Sequence, residues 1–237
     1  MLRSIRFGEA DRILHLFTAD PGRSGAIAKG ARRTRSRFGA RLEPFSHVDL
    51  QLHQGRGELA TVTGVDLLRS YQHIASDPYT VSVGHIGVEA VLRLFIEHDA
   101  NPQAFYALVR FLELLEPVGR EIERRPARDP LALSFQLKLL WLAGYLPHLT
   151  GCAGCGSAAP LVAFSAAAGG AVCRSCSTAA IPVSAAGFAG IRWLLERPLA
   201  EARNLDLPAT PAHEVLRVVE AIYEYHGGFR MRTLAGR

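Results

Sequence analysis

The stretch HVDLQLHQGRGELATVTGVDLL, from His47 to Leu68, alternates apolar and polar side chains on both sides of a glycine-containing turn. In its first half, Val48, Leu50 and Leu52 are separated by single polar residues. A period of two is typical of a β-strand with one buried face. The QGRG that follows turns the chain, and ELATVTGVDLL returns it as a second strand.

The residues before this stretch also favour short strands. The apolar run Ile13–Thr18 is followed by the turn sequence ADPG and then by GAIAKG, which predicts a hairpin. Four or so strands within about 75 residues predict a small barrel of the OB or SH3 type. Little of the chain precedes Ser4, so we expect the first strand of this barrel to be cut short.

The hydrophobic period becomes helical after about Tyr79. The pair Asp129-Pro130 combines a helix-capping residue with a proline in the first helical position, and Gly144 is suited to a left-handed C-cap. Leu161, Val162 and Phe164 form a short apolar run of their own, which predicts one more strand. The predicted helical segments are Tyr79 to about Asp99, Phe105–Leu115, Asp129–Gly144 and Ser184–Tyr225, with Gly119–Arg128 as a connection and breaks at Pro198 and Pro208.

The composition describes a folded, soluble chain. Of the 237 residues, 49% are hydrophobic and 21% charged, so a sizeable core can form and a disordered protein is excluded. Every apolar run is interrupted well before the roughly 20 residues needed to span a bilayer. The N-terminal sequence MLRSIRFGEADR lacks the apolar core of a signal peptide. We therefore expect a cytoplasmic protein with no membrane partner, in whose reducing environment cysteines favour metal over disulfides.

One segment, KGARRTRSRFGAR, accounts for the whole net charge of +5. This stretch holds six basic residues and no acidic one, whereas the rest of the chain carries 21 basic and 22 acidic side chains. Guanidinium groups bind phosphate oxygens, Thr34 and Ser36 can donate hydrogen bonds, and Phe38 can stack on a base. We predict a nucleic-acid interface in preference to a solvated loop. If all six cations reach single-strand phosphates, the log–log salt slope of binding is roughly −4. The predicted interface residues are Lys29, Arg32, Arg33, Arg35, Arg37 and Arg41.

All four cysteines lie between Gly151 and Cys176, as two C-x-x-C pairs separated by 17 residues. Each C-x-x-C turn presents two sulfurs to one ion, and this spacing falls in the range of structural zinc sites. The predicted ligands of a single structural zinc ion are Cys152, Cys155, Cys173 and Cys176.

Other uses of these cysteines lack the residues that they need. A thioredoxin-type centre has one C-x-x-C in a βαβ context, and a zinc deaminase needs an H-x-E motif that this chain does not contain. His213-Glu214 is not followed by a second histidine at protease spacing. His148 could replace one thiolate, although an ordinary loop histidine is the favoured interpretation. Four thiolate ligands leave no open metal position, so we predict no catalytic residue and no enzyme.

Three segments, LRSIRFGEADRILHLFT, AKGARRTRSRFGARLEPFSHVDLQL and LLWLAGYLPHLTGCAGCG, resemble the RecO family of bacterial recombination mediators. The resemblance covers nearly the whole chain in order. It implies an OB-fold N-terminal domain that binds single- and double-stranded DNA and anneals complementary strands. It also implies a helical domain that recognises the C-terminal tail of single-stranded-DNA-binding protein and acts with RecR to load RecA. The six basic residues match the DNA-facing loop and strand of the family, and the four cysteines match the zinc ribbon that many but not all of its members have.

We therefore predict an α+β protein, an OB-fold β-barrel followed by an α-helical domain that carries a four-cysteine zinc ribbon. The predicted function is that of a DNA repair and recombination mediator in the DNA damage response, associated with the nucleoid when it acts. The alternative is an RNA-binding or transcription-associated module with a zinc ribbon and an OB fold; a zinc hydrolase is disfavoured. The predicted domains are 1–75 for DNA binding, 76–150 with 181–237 for the helical domain, and 151–180 for the ribbon.

Overall fold

The computed structural model of the protein describes residues 1–115 and 125–234. Most of the predicted connection at 119–128 lies outside the described residues. The chain forms two compact units, the first from Met1–Asp77 with Phe95–Glu116 and the second from Pro78–Leu94 with Pro117–Arg237.

The elements follow one another along the chain as short strands, helices, a second group of strands, and helices. The strands are β1 (Arg3–Phe7), β2 (Asp11–Phe17), β3 (Arg23–Ala28), β4 (His47–His53), β5 (Ala60–Arg69), β6 (Leu161–Ser165), β7 (Gly170–Cys173) and β8 (Ile181–Pro182). The α-helices are α1 (Gln72–Ala75), α2 (Pro78–Leu94), α3 (Pro102–Glu113), α4 (Pro130–Leu142), α5 (Ala185–Glu196) and α6 (Ala209–Ile222).

The first five strands form one sheet in the order β1-β2-β3-β5-β4. Neighbours are antiparallel except β3 and β5, which run parallel through Ala26–Ala60 and Ile27–Thr61. Near the start of β4, the backbone N–H of Phe45 donates to the carbonyl oxygen of Met1 at 3.0 Å. This arrangement is OB-like, and it confirms the predicted α+β class and the predicted hairpin.

The apolar side chains of this sheet form a core of Leu14, Leu16, Val62 and their neighbours. The alternation predicted for β4 is only partly realised, because Leu52 is 44% exposed. A β-bulge between Gln51 and Leu52 shifts the register of β4 against β5. A bulge turns the following side chains away from their expected face.

Helix α3 belongs to the first unit. Its Phe105 ring lies 6.2 Å from Phe17, at the end of β2, and 5.8 Å from the ring of His47. Before the helix, the backbone N–H of His98 donates to the carbonyl oxygen of Arg23 at 2.9 Å. The residues leading into α3 are thereby held against the start of β3.

Helix α4 is the central element of the second unit. Nine of its thirteen residues, from Leu131 to Leu140, are buried against α2, α5 and α6. An almost wholly apolar helix of this kind is stable only inside a bundle. Burial of each large apolar side chain stabilises the fold by about 1.5–3 kcal/mol.

The polar side chains of α4 find partners on neighbouring elements. Ser134 Oγ donates to the carbonyl oxygen of Leu194 at 2.9 Å, and the hydroxyl of Tyr223 donates to Gln136 Oε1. Burial raises the pKa of the Tyr223 hydroxyl, so this donor stays protonated. Satisfied hydrogen bonds of this kind fix the orientation of buried helices.

The predicted helix ends are confirmed. Asp129 Oδ1 accepts from the backbone N–H groups of Leu131 at 2.8 Å and Ala132 at 3.3 Å, and Gly144 has a left-handed φ of 89°. The last helical part is divided, as its prolines predict, into α5 and α6. No helix of the described residues is long and apolar enough to cross a membrane.

Substitution of Asp129 tests the anchoring of α4. Asp129 is buried, caps the helix, and accepts a 2.7 Å hydrogen bond from the Tyr79 hydroxyl. We expect Asp129→Ala to lower the free energy of unfolding by about 2–4 kcal/mol, because it removes both the cap and the acceptor for Tyr79. Urea denaturation followed by circular dichroism measures the loss. Asp129→Asn keeps a capping oxygen and should lose less; equal losses in both variants would contradict the capping role.

Candidate metal centre and nucleic-acid interface

The four cysteines of the chain meet at one point in the second unit. Their Sγ atoms all lie within 4.8 Å of one another, and those of Cys155 and Cys173 are 3.9 Å apart. Two sulfurs bound tetrahedrally to zinc at about 2.3 Å would lie about 3.8 Å from each other. The cluster therefore has the size of a four-thiolate metal site.

Tight turns place the first pair of sulfurs. The backbone N–H of Gly156 donates to the carbonyl oxygen of Cys152 at 2.8 Å, and Gly156 adopts a φ of 72°. A Cβ atom on Gly154 would lie 3.1 Å from the sulfur of Cys176. Glycine at position 154 thus lets the first turn approach the second pair closely.

The second pair follows a strand. Cys173 ends β7, and Cys176 ends the single 3-10 turn that comes after it. Strand β7 pairs with β6, and β6 with β8, so the sulfurs are carried by a small three-stranded sheet. The strand predicted around Phe164 is β6, and this side chain is buried.

The sulfurs differ in electrostatic environment. The backbone N–H of Cys173 donates to Cys152 Sγ at 3.3 Å, and this bond lowers the pKa of the Cys152 thiol to about 6. A hydrogen bond with the Cys155 sulfur raises the pKa of the Cys176 thiol to about 12. Four thiolates within 4.8 Å of one another would repel one another unless a cation offset their charge. A soft divalent ion such as zinc would supply that charge and matches the donors.

His148 is placed outside this cluster. Its backbone pairs with the ribbon, with its N–H donating to Gly169 at 3.0 Å and its carbonyl oxygen accepting from Ala171 at 2.8 Å. Among the described residues, the group that could hold an ion consists of the four cysteines alone. The favoured interpretation of His148 as a loop residue agrees with this position.

The basic segment lies between β3 and β4. We call residues 29–41 the basic loop; its last residues enter a short 3-10 helix, Gly39–Leu42. The loop therefore leaves one strand of the barrel and returns to another, as the sequence predicts. Connections between barrel strands are a usual place for ligand contacts in OB folds.

Two of the six cations are held by backbone carbonyl groups. Arg41 donates through Nη1 to Val65 at 2.8 Å, through Nε to Phe38 at 3.0 Å, and through Nη2 to Arg37. Arg32 is exposed and donates to the carbonyl oxygens of the β1–β2 turn, at 3.1 Å for Glu9. These contacts shape the loop and occupy much of the hydrogen-bonding capacity of the Arg41 guanidinium.

The remaining cations are exposed to solvent. They have no ion-pair partner among the carboxylates of the described residues. The four residues are Lys29, Arg33, Arg35 and Arg37.

The expectation that Phe38 stacks on a base is wrong. Phe38 is only 2% exposed and packs in the barrel core with Leu14 and Leu42. Burying an aromatic ring is favourable, and the loop turns this side chain inwards for that reason. The guanidinium of Arg37 lies over the ring, 4.8 Å from its centroid.

A different aromatic side chain is exposed beside the loop. Phe7 ends β1 at the turn that Arg32 contacts, and it is 51% exposed. Sequence reasoning missed it because an apolar residue within a strand is usually assigned to the core. Gly8, which follows with a φ of 53°, was the available signal that the strand ends there.

Comparison with known proteins shows the family to which the chain belongs. Residues 1–71 match the family described as Recombination protein O N terminal, and residues 75–235 match Recombination protein O C terminal. A protein of Rubrobacter xylanophilus called DNA repair protein RecO is 43% identical over 212 residues, covering 86% of this chain and 82% of that protein. A DNA repair protein RecO of Anaeromyxobacter dehalogenans is 31% identical over 239 residues, covering 98% and 91%. The chain belongs to the RecO family of DNA repair and recombination proteins.

Proposed function

We propose that this protein binds DNA through the basic loop and anneals complementary strands as a non-catalytic recombination mediator. The observation that carries the proposal is the group of four exposed cations between β3 and β4, without acidic residues among them. Guanidinium and ammonium groups in this setting bind phosphates without reading sequence. A mediator needs that property, because it must act on any strand.

The mechanism that we propose is electrostatic. Two complementary strands repel one another through their phosphates, and cations bound to the backbone reduce that repulsion. Contacts confined to the backbone leave the base edges free to pair. If the four exposed cations each reach one phosphate, single-strand binding falls with salt at a log–log slope of about −3. The magnitude of this slope is smaller than the magnitude expected for all six cations, because Arg32 and Arg41 also bond to the protein backbone.

Phe7 supplies a stacking surface for one unpaired base in this proposal. Its ring is exposed at the turn held by Arg32, and so it lies beside the basic loop. Aromatic stacking adds affinity for single strands, whose bases are accessible, and adds little for a duplex.

The four cysteines hold one structural zinc ion in this proposal. A bound zinc ion would join the turn after α4 to the end of β7. With four thiolates around it, the ion has no position for a substrate, so its contribution is to folding. Backbone N–H groups such as that of Cys173 would stabilise the thiolate charge.

We further propose the division of labour that the family resemblance implies. Residues 1–75 form the DNA-binding domain, 76–150 with 181–237 the helical domain, and 151–180 the ribbon. The helical domain would bind the tail of single-stranded-DNA-binding protein, and the whole protein would act with RecR to load RecA in the cytoplasm, at the nucleoid. The family membership disfavours the alternative of an RNA-binding or transcription-associated module. Annealing of complementary oligonucleotides coated with single-stranded-DNA-binding protein tests the function as a whole.

Charge reversal in the basic loop is the first specific test. We expect R33E/R35E/R37E to weaken DNA binding at least about 100-fold near 0.1 M salt and to abolish annealing, because three phosphate contacts become repulsive. Fluorescence anisotropy with labelled oligonucleotides measures the affinity. R174E/R192E/R197E changes the net charge equally at exposed sites of the second unit and should retain most of the binding. Undiminished affinity in the loop variant, with folding intact, would contradict the proposal.

Metal analysis is the second test. Protein purified under reducing conditions with adequate zinc should contain one zinc per chain, and Co²⁺ in its place should give thiolate-to-metal absorption typical of tetrahedral sites. Cys173→Ser should lose the ion and the protection of ribbon amides from hydrogen exchange, since structural zinc contributes on the order of 10 kcal/mol. Ser175→Ala leaves every thiol in place and should retain the metal. Metal-free wild-type protein with an intact ribbon would rule out the zinc site.

Substitution of Phe7 is the third test. We expect Phe7→Ala to weaken single-strand binding about 5- to 150-fold, because one stacked base contributes about 1–3 kcal/mol. Phe7→Tyr keeps the ring and should bind normally. Titrations with single-stranded and duplex oligonucleotides of equal length separate stacking from charge. An equal loss on both substrates would show that Phe7 acts through the fold and not through a base.

A further inference from the structure

A cavity of about 520 Å³ in the second unit is lined by cations that the basic loop does not include. Arg125, Arg128 and Arg203 all line it, although Arg203 is 75 or more residues from the other two. The first turn of α6 forms another wall, through Ala209 and Ala212. No motif in the sequence joins these residues, so only the fold brings them together.

Arg203 is the unusual member of this group. Its Nε and Nη2 atoms are buried, and neither has a hydrogen-bond partner. A buried guanidinium nitrogen without an acceptor is unfavourable, because it has lost its water and gained nothing in return. An oxyanion in the cavity would supply the missing acceptors.

Two carboxylates also line the cavity, and neither accepts a hydrogen bond from the buried nitrogens of Arg203. Asp129 is already bonded to the Tyr79 hydroxyl and to the first backbone N–H groups of α4. Asp206 is exposed and forms no ion pair with Arg203 among the described residues. Among the described residues, no carboxylate therefore pairs with Arg203, and an external anion would supply the acceptors that it lacks.

The positive charge extends beyond the cavity. Arg128 Nη2 lies 3.2 Å from His213 Nδ1, and Arg217 follows His213 by one turn of α6. Burial, reinforced by the charges of Arg128, Arg217 and Arg125, lowers the pKa of His213. Arg125, His213 and Arg217 are exposed, so the cavity is one end of a cationic surface. A surface of this extent suits a polyanion better than a single carboxylate.

We propose that this cavity binds a phosphate group of a nucleic-acid backbone, with Arg203 and Arg128 as its principal donors. The inference rests on the proposed function, because it gives the helical unit a DNA contact separate from the basic loop. Guanidinium forks match phosphate oxygens in geometry and charge. Annealing requires two strands, and a second phosphate site allows one protein molecule to hold both.

The site is tested first without DNA, by thermal unfolding of the full chain in inorganic phosphate and in chloride of equal ionic strength. At ten times its dissociation constant, phosphate should raise the unfolding midpoint by about 3–5 °C. Arg203→Met should remove this shift, and should itself be neutral or stabilising in chloride because an unpartnered buried cation is gone. Arg192→Met, at an exposed position of α5, should keep the shift. No phosphate shift in the wild type, or an unchanged shift in Arg203→Met, would overturn the proposal.

Measurements with oligonucleotides and with an acidic peptide then show whether the bound anion is a nucleic-acid phosphate or a peptide carboxylate. In R128M/R203M the log–log salt slope of single-strand binding should decrease in magnitude by about 1.4, since two cations are lost. An unchanged slope would overturn the assignment to nucleic acid. The assignment would also be overturned if an acidic peptide with a free C-terminal carboxylate raised the unfolding midpoint and a ten-nucleotide strand did not. The loop variant R33E/R35E/R37E serves as the reference, because its phosphate shift should persist even where its DNA affinity is lost.

Discussion

The hydrogen bonds of one guanidinium group hold the basic loop to the barrel. Arg41 bonds to Val65 on β5 and to two carbonyl oxygens of the loop itself, while Phe38 and Leu42 bury their side chains in the barrel core. The end of the loop is thereby fixed, and the cations that precede Phe38 are left in solvent. A loop held by apolar burial and backbone contacts keeps the charge of Arg33, Arg35 and Arg37 available for phosphate.

The chain has two kinds of charged site, one made of sulfurs and one made of arginines. The four thiols lie close together on tight turns and a strand end, an arrangement consistent with a site for a cation. The arginines of the basic loop and Arg203 of the helical cavity form no ion pair with a carboxylate of the described residues, and they are the groups to which we assign anions. Neither arrangement contains a nucleophile beside a base, which catalysis of acyl or phosphoryl transfer would need.

The sequence predicted the elements well where a local signal exists. The Asp129-Pro130 pair, Gly144 and the period-two alternation after His47 each act within a few residues, so the helix and strand limits follow from them. The cysteine spacing likewise predicted the cluster, because each C-x-x-C turn brings its own two sulfurs together and the distance between the pairs is typical of four-cysteine sites. The four-sulfur cluster was therefore predictable from the chain alone.

The sequence-based predictions that were wrong concern side-chain exposure, which depends on packing between distant parts of the chain. Phe38 lies in a polar stretch, yet the barrel has room for its ring, whereas Phe7 follows a strand pattern and is exposed at its end. A bulge in β4 exposes Leu52, and no residue type in this strand predicts a bulge.

The surroundings of Arg203 also depend on packing between distant parts of the chain. Its guanidinium has buried nitrogens without acceptors, and the cavity beside it is lined both by the nearby start of α6 and by the start of α4, which is about 70 residues earlier in the chain. In a backbone-binding protein, the residues that contact a ligand need no motif, because phosphate is the same at every nucleotide. Their identity follows from which cations the fold leaves without a partner, and that property belongs to the folded chain.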